Sequence, residues 1–325
     1  MKEAVFLKKN AEKWQKLALQ VKSNNQQTDP NQLAYSFIEL TDDLAFAKTF
    51  YPNSKTVAYL NNLSAQFHQQ IYKNKQENKK RVWLFWKEEL PLLLMKYKMQ
   101  CILSLFIFIA ATAIGMLSAK YDDNFVRIIL GDDYVNTTLQ NIEDKNPFGI
   151  YKKTEEWLMF LMIGYNNIRV SFLAFVSGIT GGIGTIWLLL NNGIMFGSFM
   201  QFFFNKSLGS SFLLVVLIHG IIELWSIVIA GAAGLIMAKG LLFPNTFSRK
   251  DSLTIAAKDA VKIVFGQVPF FVIAALLESF ITRKTDMPIW VNICILAASF
   301  LLIIIYFVWY PKKVYTKFTG KPTTT

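Results

Sequence analysis

The sequence SFLLVVLIHGIIELWSIVIAGAAGLIMAKGLLF, residues 211–243, decides the fold class of this chain. Its only ionisable residues are His219, Glu223 and Lys239. About 20 consecutive apolar residues suffice for a helix to cross the hydrocarbon core of a bilayer. Five other stretches of this kind occur in the chain, which is 53% hydrophobic overall. We therefore predict an all-α, polytopic helical membrane bundle.

Six spans are predicted, and all of them follow Met99. The second and fourth are longer than a crossing requires, so each is expected to be tilted or broken. The candidate break points are the glycines in the second span and Gly220 in the fourth, and a re-entrant segment there would change the count to five or seven. The glycines of the second span are Gly178, Gly181, Gly182 and Gly184. The predicted spans are residues 100–119, 157–186, 187–205, 211–243, 259–282 and 288–310.

The residues before the first span are more polar and more basic. Apolar side chains recur three and four positions apart in 3–22, 31–48 and 54–76, which predicts three short helices. The next segment mixes Trp and Leu with Lys and Glu, as interfacial helices do, and Pro91 is expected to kink it. The predicted domains are residues 1–78, a small cytoplasmic helical domain; 79–99, an interfacial amphipathic helix; 100–310, the transmembrane bundle; and 311–325, a cytoplasmic basic tail.

The distribution of charge predicts an orientation and a partner. Residues 120–156 contain eight acidic and five basic side chains, so they are predicted to form an external acidic loop, while basic residues flank the opposite ends of most spans. Arg283 and Lys284 are the exception, because this orientation places these two basic residues outside. The N-terminal residues lack the pattern of a signal peptide, and both termini are expected in the cytoplasm. The formal net charge of +12 lies beside hydrophobic spans, which favours anionic lipid at the cytoplasmic face over nucleic acid.

A few polar residues interrupt the apolar spans, and these are the candidate functional residues because ionisable groups are costly in a bilayer. His219 and Glu223 are four apart and share one face of a continuous helix. If Glu278 packs against them, one imidazole and two carboxylates form a proton relay, a cation site or three ligands of a metal. The alternative is a structural His–Glu pair that holds the bundle together. The candidates are His219, Glu223, Glu278, Arg169, Asn191 and Asn192.

Small residues in the spans predict close helix packing or hinges. Gly193 and Gly197 are spaced to form a small-residue contact face, and the amides of Asn191 and Asn192 are expected to bond across helices. The candidate packing or hinge glycines are Gly181, Gly182, Gly184, Gly193, Gly220, Gly231 and Gly234.

Catalytic and cofactor motifs are not found in the sequence. The His-Glu-x-x-His pattern of zinc hydrolases and the nucleophile elbow of serine hydrolases do not occur, and the Gly181-Gly182-Ile183-Gly184 run lacks the Lys-Ser/Thr of a phosphate loop. The two cysteines, Cys101 and Cys294, lie in apolar runs, which excludes a disulfide framework and a cysteine zinc ribbon. No cofactor is predicted, and the sequence leaves open whether a metal binds.

Several segments of the spans resemble a known family. They are His219-Gly220-Ile221-Ile222-Glu223-Leu224 with residues 227–234, then residues 275–282, and the Asn191-Asn192-Gly193 turn. On these segments the chain resembles the stage II sporulation protein M family, and its N-terminal segment looks like the extended form with a cytoplasmic helical domain. The resemblance implies a bacterial or archaeal membrane protein. In spore formers the namesake works with peptidoglycan-degrading partners, but the longer form is similar to members from bacteria that do not sporulate.

These features predict one function and leave two alternatives open. The first is a non-enzymatic scaffold or assembly factor in cell-envelope organisation, located in the bacterial cytoplasmic (inner) membrane with other envelope proteins, or copies of itself, as partners. The second is an ion-coupled transporter or channel that uses His219, Glu223 and Glu278. The third is a membrane-embedded, metal-dependent hydrolase, for which the sequence offers the least support.

Overall fold

The computed structural model describes residues 2–22, 30–73, 80–149, 155–284 and 287–320, and within these ranges the chain is helical and contains no strand. The chain divides into two compact units, Met1–Val82 and Trp83–Thr325. The predicted all-α class is confirmed.

The first unit is a three-helix domain composed of α1 (Glu3–Lys22), α2 (Pro30–Phe50) and α3 (Lys55–Lys73). Its helices match the three predicted stretches, apart from residues 74–76, which lie outside the described residues. Trp14 Nε1 donates a hydrogen bond of 2.8 Å to Asp43 Oδ2, which joins α1 to α2. The core contains Phe6, Trp14, Leu17, Leu40, Leu44, Ala47, Leu60, Leu63 and Phe67.

The second unit contains six helices that are long and apolar enough to cross a membrane, so the predicted count of six is confirmed. The longest segment between two consecutive spans is residues 122–155, which lies between the first and the second. The helices are α6 (Lys98–Tyr121), α9 (Glu156–Val176), α10 (Ile183–Asn205), α12 (Leu217–Leu242), α13 (Arg249–Leu276) and α14 (Ile289–Ile303). A 3₁₀ turn (Ser177–Thr180) extends α9, a π turn (Leu277–Thr282) extends α13, and a π turn (Ile304–Trp309) joins α14 to α15 (Tyr310–Thr319).

The boundary between the second and third spans differs from the prediction. The second span ends at Thr180, because Gly181 and Gly182 both adopt left-handed backbone angles, with φ of 71° and 91°. Such angles stop a helix and are accessible to glycine at little cost. The third span therefore begins at Ile183 and not at residue 187, and Gly184 lies inside it.

The predicted break at Gly220 is wrong. Gly220 lies within α12, and its amide donates a hydrogen bond of 3.0 Å to the carbonyl of Val216. The fourth apolar stretch divides at Val216 instead, which separates the short helix α11 (Gly209–Val215) from α12. A glycine inside a helix costs only about 1 kcal/mol relative to alanine, and tertiary packing outweighs this cost here.

Helix α12 lies at the centre of the second unit and packs against α6, α9, α13 and α14. Its small residues allow very close approach. A Cβ added at Gly234 would lie 2.4 Å from the carbonyl oxygen of Ala174, and one added at Gly231 would lie 2.7 Å from Ser104 Oγ. The contact between α6 and α10 is similar, since a Cβ at Gly197 would lie 2.1 Å from the carbonyl oxygen of Thr112.

The amides of Asn191 and Asn192 do not make the predicted bonds across helices. Their Nδ2 atoms donate to the carbonyls of Trp187 and Leu188, 2.9 and 2.8 Å away in the same helix. The segment that was predicted as a turn is helical and lies within α10. Gly193, the last residue of that segment, has no room for a side chain, because an added Cβ would lie 2.6 Å from the Cβ of Ala111.

The acidic loop folds as a helical cap, by which we mean residues 122–149. It contains α7 (Asp123–Leu130) and α8 (Asp132–Glu143), joined at Gly131, whose φ is 86°. Arg127 braces this corner with hydrogen bonds of 2.9 Å to Asp132 and to Asn136. The buried side chains that fix the cap to the ends of α6, α10 and α11 are Ala119, Val126, Val135, Phe148, Phe202, Phe203 and Phe212.

The segment before the first span is bound to the opposite end of the bundle, and we call Trp83–Tyr97 the clasp. It contains the π turn Phe85–Glu89 and the helix α5 (Leu90–Lys96), which has Pro91 in its first turn. Leu90 is fully buried, in a position where a Cβ at Gly266 would lie 2.6 Å from its Cδ2. The predicted interfacial helix therefore buries one face against α13.

Polar contacts hold the clasp to two helices. Asp259 of α13 accepts hydrogen bonds from Lys96 Nζ at 2.6 Å and from the Tyr97 hydroxyl at 2.8 Å. The hydroxyls of Tyr306 and Tyr310 donate to the carbonyls of Trp86 and Lys87. Clasp, α13 and the last helix thus form one assembly.

Candidate functional site

The structure brings His219, Glu223 and Glu278 together. His219 and Glu223 lie one turn apart on α12, and Glu278 lies in the π turn at the end of α13. His219 Nε2 is 3.8 Å from Glu278 Oε2, and one ligand atom from each of the three residues lies within 4.8 Å of the other two. A π turn rotates the side chains that follow it relative to an α-helix, and here it accompanies the approach of Glu278 to α12.

The three side chains are largely buried inside the bundle. The side chain of His219 is 4% exposed and that of Glu278 is 14% exposed. Burying carboxylates is unfavourable unless a cation, a proton or hydrogen-bond donors compensate their charge. The negative charge of the two carboxylates is therefore unfavourable here unless a bound ligand compensates it.

Thr282 orients the imidazole. His219 Nδ1 lies 3.0 Å from Thr282 Oγ1, and this hydroxyl lies 3.3 Å from the carbonyl oxygen of Leu277. Nε2 then points toward Glu278. Sequence reasoning missed Thr282, because a threonine at a helix end ordinarily bonds only to its own backbone.

A cavity of about 540 Å³ adjoins the three residues. It lies between α9, α10 and α12, and its cap side is formed by Ile129, Leu130 and Tyr134. Its polar lining consists of the three candidate residues with Asn166, Asn167, Asn192 and Tyr134. Small-molecule sites usually have volumes of about 300–1,000 Å³, mostly apolar walls and a few polar groups, as here.

Asn167 is a site residue that the sequence analysis did not identify. It is 3% exposed and lines the cavity next to the Glu223 carboxylate, yet its Nδ2 atom has no partner with good hydrogen-bond geometry among the described residues. A buried amide of this kind ordinarily finds a partner. The available signal was the pair Asn166-Asn167 within an apolar span, which is similar to the candidate pair Asn191-Asn192.

The other predicted polar residues are placed differently. Asn192 lines the cavity, whereas Asn191 is exposed and does not. Arg169 is also exposed, and it is absent from the cavity lining although it lies only two residues from Asn167. Two residues along a helix correspond to a rotation of about 200°, so Arg169 faces away from the site.

Tyr134 gives the cap a dependence on pH. Its ring lies edge-on to Phe199 at 5.9 Å, and burial raises the pKa of Tyr134 from 10.0 to about 12. The unfolded chain releases this proton at lower pH than the folded cap, so the stabilisation is complete below pH 10 and is lost as the pH rises toward about 12. We expect Tyr134→Phe to reduce the fall in the thermal midpoint between pH 9 and pH 11, whereas Tyr121→Phe, at an exposed position, leaves it unchanged. Equal pH profiles for both variants would contradict this assignment.

Comparisons with known proteins identify the family but no function. No solved structure matches the chain. An uncharacterized protein of Methanocaldococcus jannaschii is 27% identical over 129 residues, which are 39% of this chain and 56% of that protein. The match thus spans little more than half of the relative's length.

Two families match different parts of the chain. Residues 4–73, the three-helix domain, match a domain of unknown function (DUF8413). Residues 104–283, more than half of the chain and all three site residues among them, match the family described as Stage II sporulation protein M. The resemblance noted on the segments around His219 and Glu278 is confirmed, and the chain belongs to the Stage II sporulation protein M family.

Proposed function

We propose that this multi-pass membrane protein is an ion-coupled transporter, in which His219, Glu223 and Glu278 bind the cation and the adjoining cavity holds the solute. The observation that supports this most directly is the convergence of the three side chains within 4.8 Å beside a cavity of about 540 Å³. A purely structural His–Glu pair would need neither the second carboxylate nor the adjoining cavity. Ionisable residues that face such a cavity usually mark the pathway of a substrate or an ion.

Interrupted helices surround the site, as they do in many transporters. Helix α12 is preceded by the break at Val216, and Glu278 belongs to a π turn. Pro269 lies within α13 and removes one backbone hydrogen bond from it. These interruptions provide positions at which helices can bend while the rest of the bundle remains rigid.

In the proposed orientation the cap lies outside and the clasp and both termini lie in the cytoplasm of a bacterial cell. The excess of acidic residues in 120–156 and the lysines and arginines near the clasp support this arrangement through the positive-inside rule. The basic clasp end would then contact anionic lipid of the inner membrane.

Cysteine accessibility from the two sides of the membrane tests transport without knowledge of the solute. Gly220 lines the cavity and has room for a side chain, since an added Cβ would meet only Leu217 Cδ2, at 3.7 Å. In a background that lacks Cys101 and Cys294, we expect a cysteine introduced by Gly220→Cys to react with a membrane-impermeant maleimide from either side of sealed vesicles. A transporter exposes its site alternately to both sides.

Two control positions report sidedness in the same experiment. Ile128→Cys, on the exposed surface of the cap, should react from one side only, and Phe318→Cys, on α15, from the other side only. Reaction of the Gly220→Cys variant from a single side would contradict transport.

The scaffold function predicted from the sequence is the second candidate. It is favoured by the separate three-helix domain, which has its own core and exposes Tyr35, Ile38 and Phe50. Such a domain suits binding to another envelope protein or to a second copy. One-sided labelling at position 220 would leave this proposal in place.

A further inference from the structure

We propose that the cation bound by His219, Glu223 and Glu278 is a divalent transition-metal ion, for which Zn²⁺ is the probe. This inference deepens the proposed function by naming the class of ion at the same site. The ligand atoms would be His219 Nε2 and one oxygen from each carboxylate. Binding itself does not require transport, so the two proposals can fail separately.

The first argument concerns the tautomer of His219. A threonine hydroxyl has one hydrogen, and the Leu277 carbonyl, 3.3 Å from Thr282 Oγ1, can only accept it. When the hydroxyl donates this hydrogen to Leu277, Oγ1 accepts a hydrogen bond from His219 Nδ1–H across 3.0 Å. In neutral imidazole this places the lone pair on Nε2, the atom that faces Glu278 Oε2 at 3.8 Å. Histidines that bind metals are usually held in this way, with the other ring nitrogen donating to a nearby acceptor.

The second argument concerns charge. An imidazole lone pair and two carboxylates repel one another when they lie within 4.8 Å in a buried site. The residues that line the cavity in the described part of the chain include no lysine or arginine that could neutralise them. A divalent ion balances two carboxylates completely, which leaves a neutral site within the membrane-spanning part of the protein.

The third argument concerns the type of metal. Imidazole is a ligand preferred by Zn²⁺ and its transition-metal neighbours, whereas Ca²⁺ and Mg²⁺ prefer six or more oxygen ligands. Bonds of about 2.0–2.2 Å to a tetrahedral zinc place ligand atoms roughly 3.3 Å apart. Rotation of the two flexible glutamate side chains would shorten the observed separations of up to 4.8 Å to this value.

The fourth argument is the arrangement around the remaining coordination position. Three protein ligands with one open position are typical of zinc sites that bind water or a substrate. Here that position would face the cavity, where the buried Asn167 amide lacks a well-formed hydrogen bond to any described residue. The Asn167 amide already approaches the Glu223 carboxylate, so it would donate a hydrogen bond to that ligand or to a water or solute on the metal.

Metal binding by the purified full-length protein in detergent tests this inference. After removal of metals with a chelator, titration with Zn²⁺ against a chromophoric competitor should give one tight site per chain. His219→Gln and Glu278→Gln should each weaken binding by more than the about 10- to 100-fold loss that is typical of outer-shell changes. Asn191→Ala, on an exposed neighbouring position, is the matched control and should bind Zn²⁺ normally.

Two further readouts separate a ligand role from a structural one. Thr282→Val, a change at a positioning residue, should weaken Zn²⁺ binding by about 10- to 100-fold without changing the number of sites. X-ray absorption at the zinc edge should show one imidazole and only oxygen or nitrogen neighbours. A shell without imidazole, equal affinity for Ca²⁺ and Zn²⁺, or wild-type binding by a folded His219→Gln variant would each overturn the inference.

The outcomes of the two experiments are distinguishable. Tight Zn²⁺ binding with one-sided labelling at position 220 would establish the metal site and reject transport. Two-sided labelling without Zn²⁺ binding would retain transport and reject the transition metal.

Discussion

Replacing Gly234 with valine is expected to destabilise the bundle by about 3 kcal/mol or more, at the upper end of what overpacking costs. A Cβ at this position would lie 2.3 Å from Thr185 Oγ1 and 2.4 Å from the carbonyl oxygen of Ala174, so it would clash with α10 and α9 at once. Backbone cannot move aside as a flexible side chain can. The measurement is the thermal unfolding midpoint of the purified protein in detergent.

A glycine in the same helix provides the control for this change. Gly220→Ala adds a methyl group where the nearest atom, Leu217 Cδ2, is 3.7 Å away. Alanine also has the higher helix propensity, so the midpoint should stay equal or rise slightly. If the Gly234→Val variant unfolds at the same temperature as this control, the close crossing at Gly234 is not present in the protein.

Leu90→Ala should cost about 2–5 kcal/mol, because it removes a fully buried side chain from the contact between the clasp and α13. The cavity would lie against Gly266, which has no side chain to fill it. We expect a lower thermal midpoint and faster proteolysis after the lysines of the clasp. Limited proteolysis in detergent, followed over time, measures the second effect.

Leu84→Ala is the matched control within the clasp, since Leu84, the last residue of helix α4 (Lys80–Leu84), is 39% exposed and its truncation removes little buried surface. Equal proteolysis of both variants would mean that the clasp is not held by Leu90.

The sequence determined the number of spans because each crossing needs a long apolar run, and such runs are visible without any knowledge of packing. It did not reveal the end of the second span. The apolar pattern continues through Gly181 and Gly182, whereas the left-handed backbone angles of these two glycines end the helix. Gly220 was expected to break a helix only because it is a glycine. Its position within α12 shows that tertiary contacts decide the outcome for a single glycine.

The candidate site was predictable only in part. Helical spacing places His219 and Glu223 on one face, but whether Glu278 reaches them depends on the rotation of α13 and on the π turn that contains Glu278. Asn167 was not selected although the similar Asn191-Asn192 pair was, because the sequence does not show which amide of an apolar span faces the other helices. Its importance follows from burial beside Glu223, which is a property of the fold.

Helix α13 extends from the clasp at one end of the second unit to the candidate site at the other. It binds the clasp through Asp259 and ends in the π turn that contains Glu278, 19 residues later and about 28 Å away at 1.5 Å per residue. Pro269 lies between these two points and removes one backbone hydrogen bond, so this is the position at which the helix can bend. Tilting of the clasp would then move Glu278 relative to His219, so a force applied at the clasp end of the bundle would open or close the proposed ion site at the cap end.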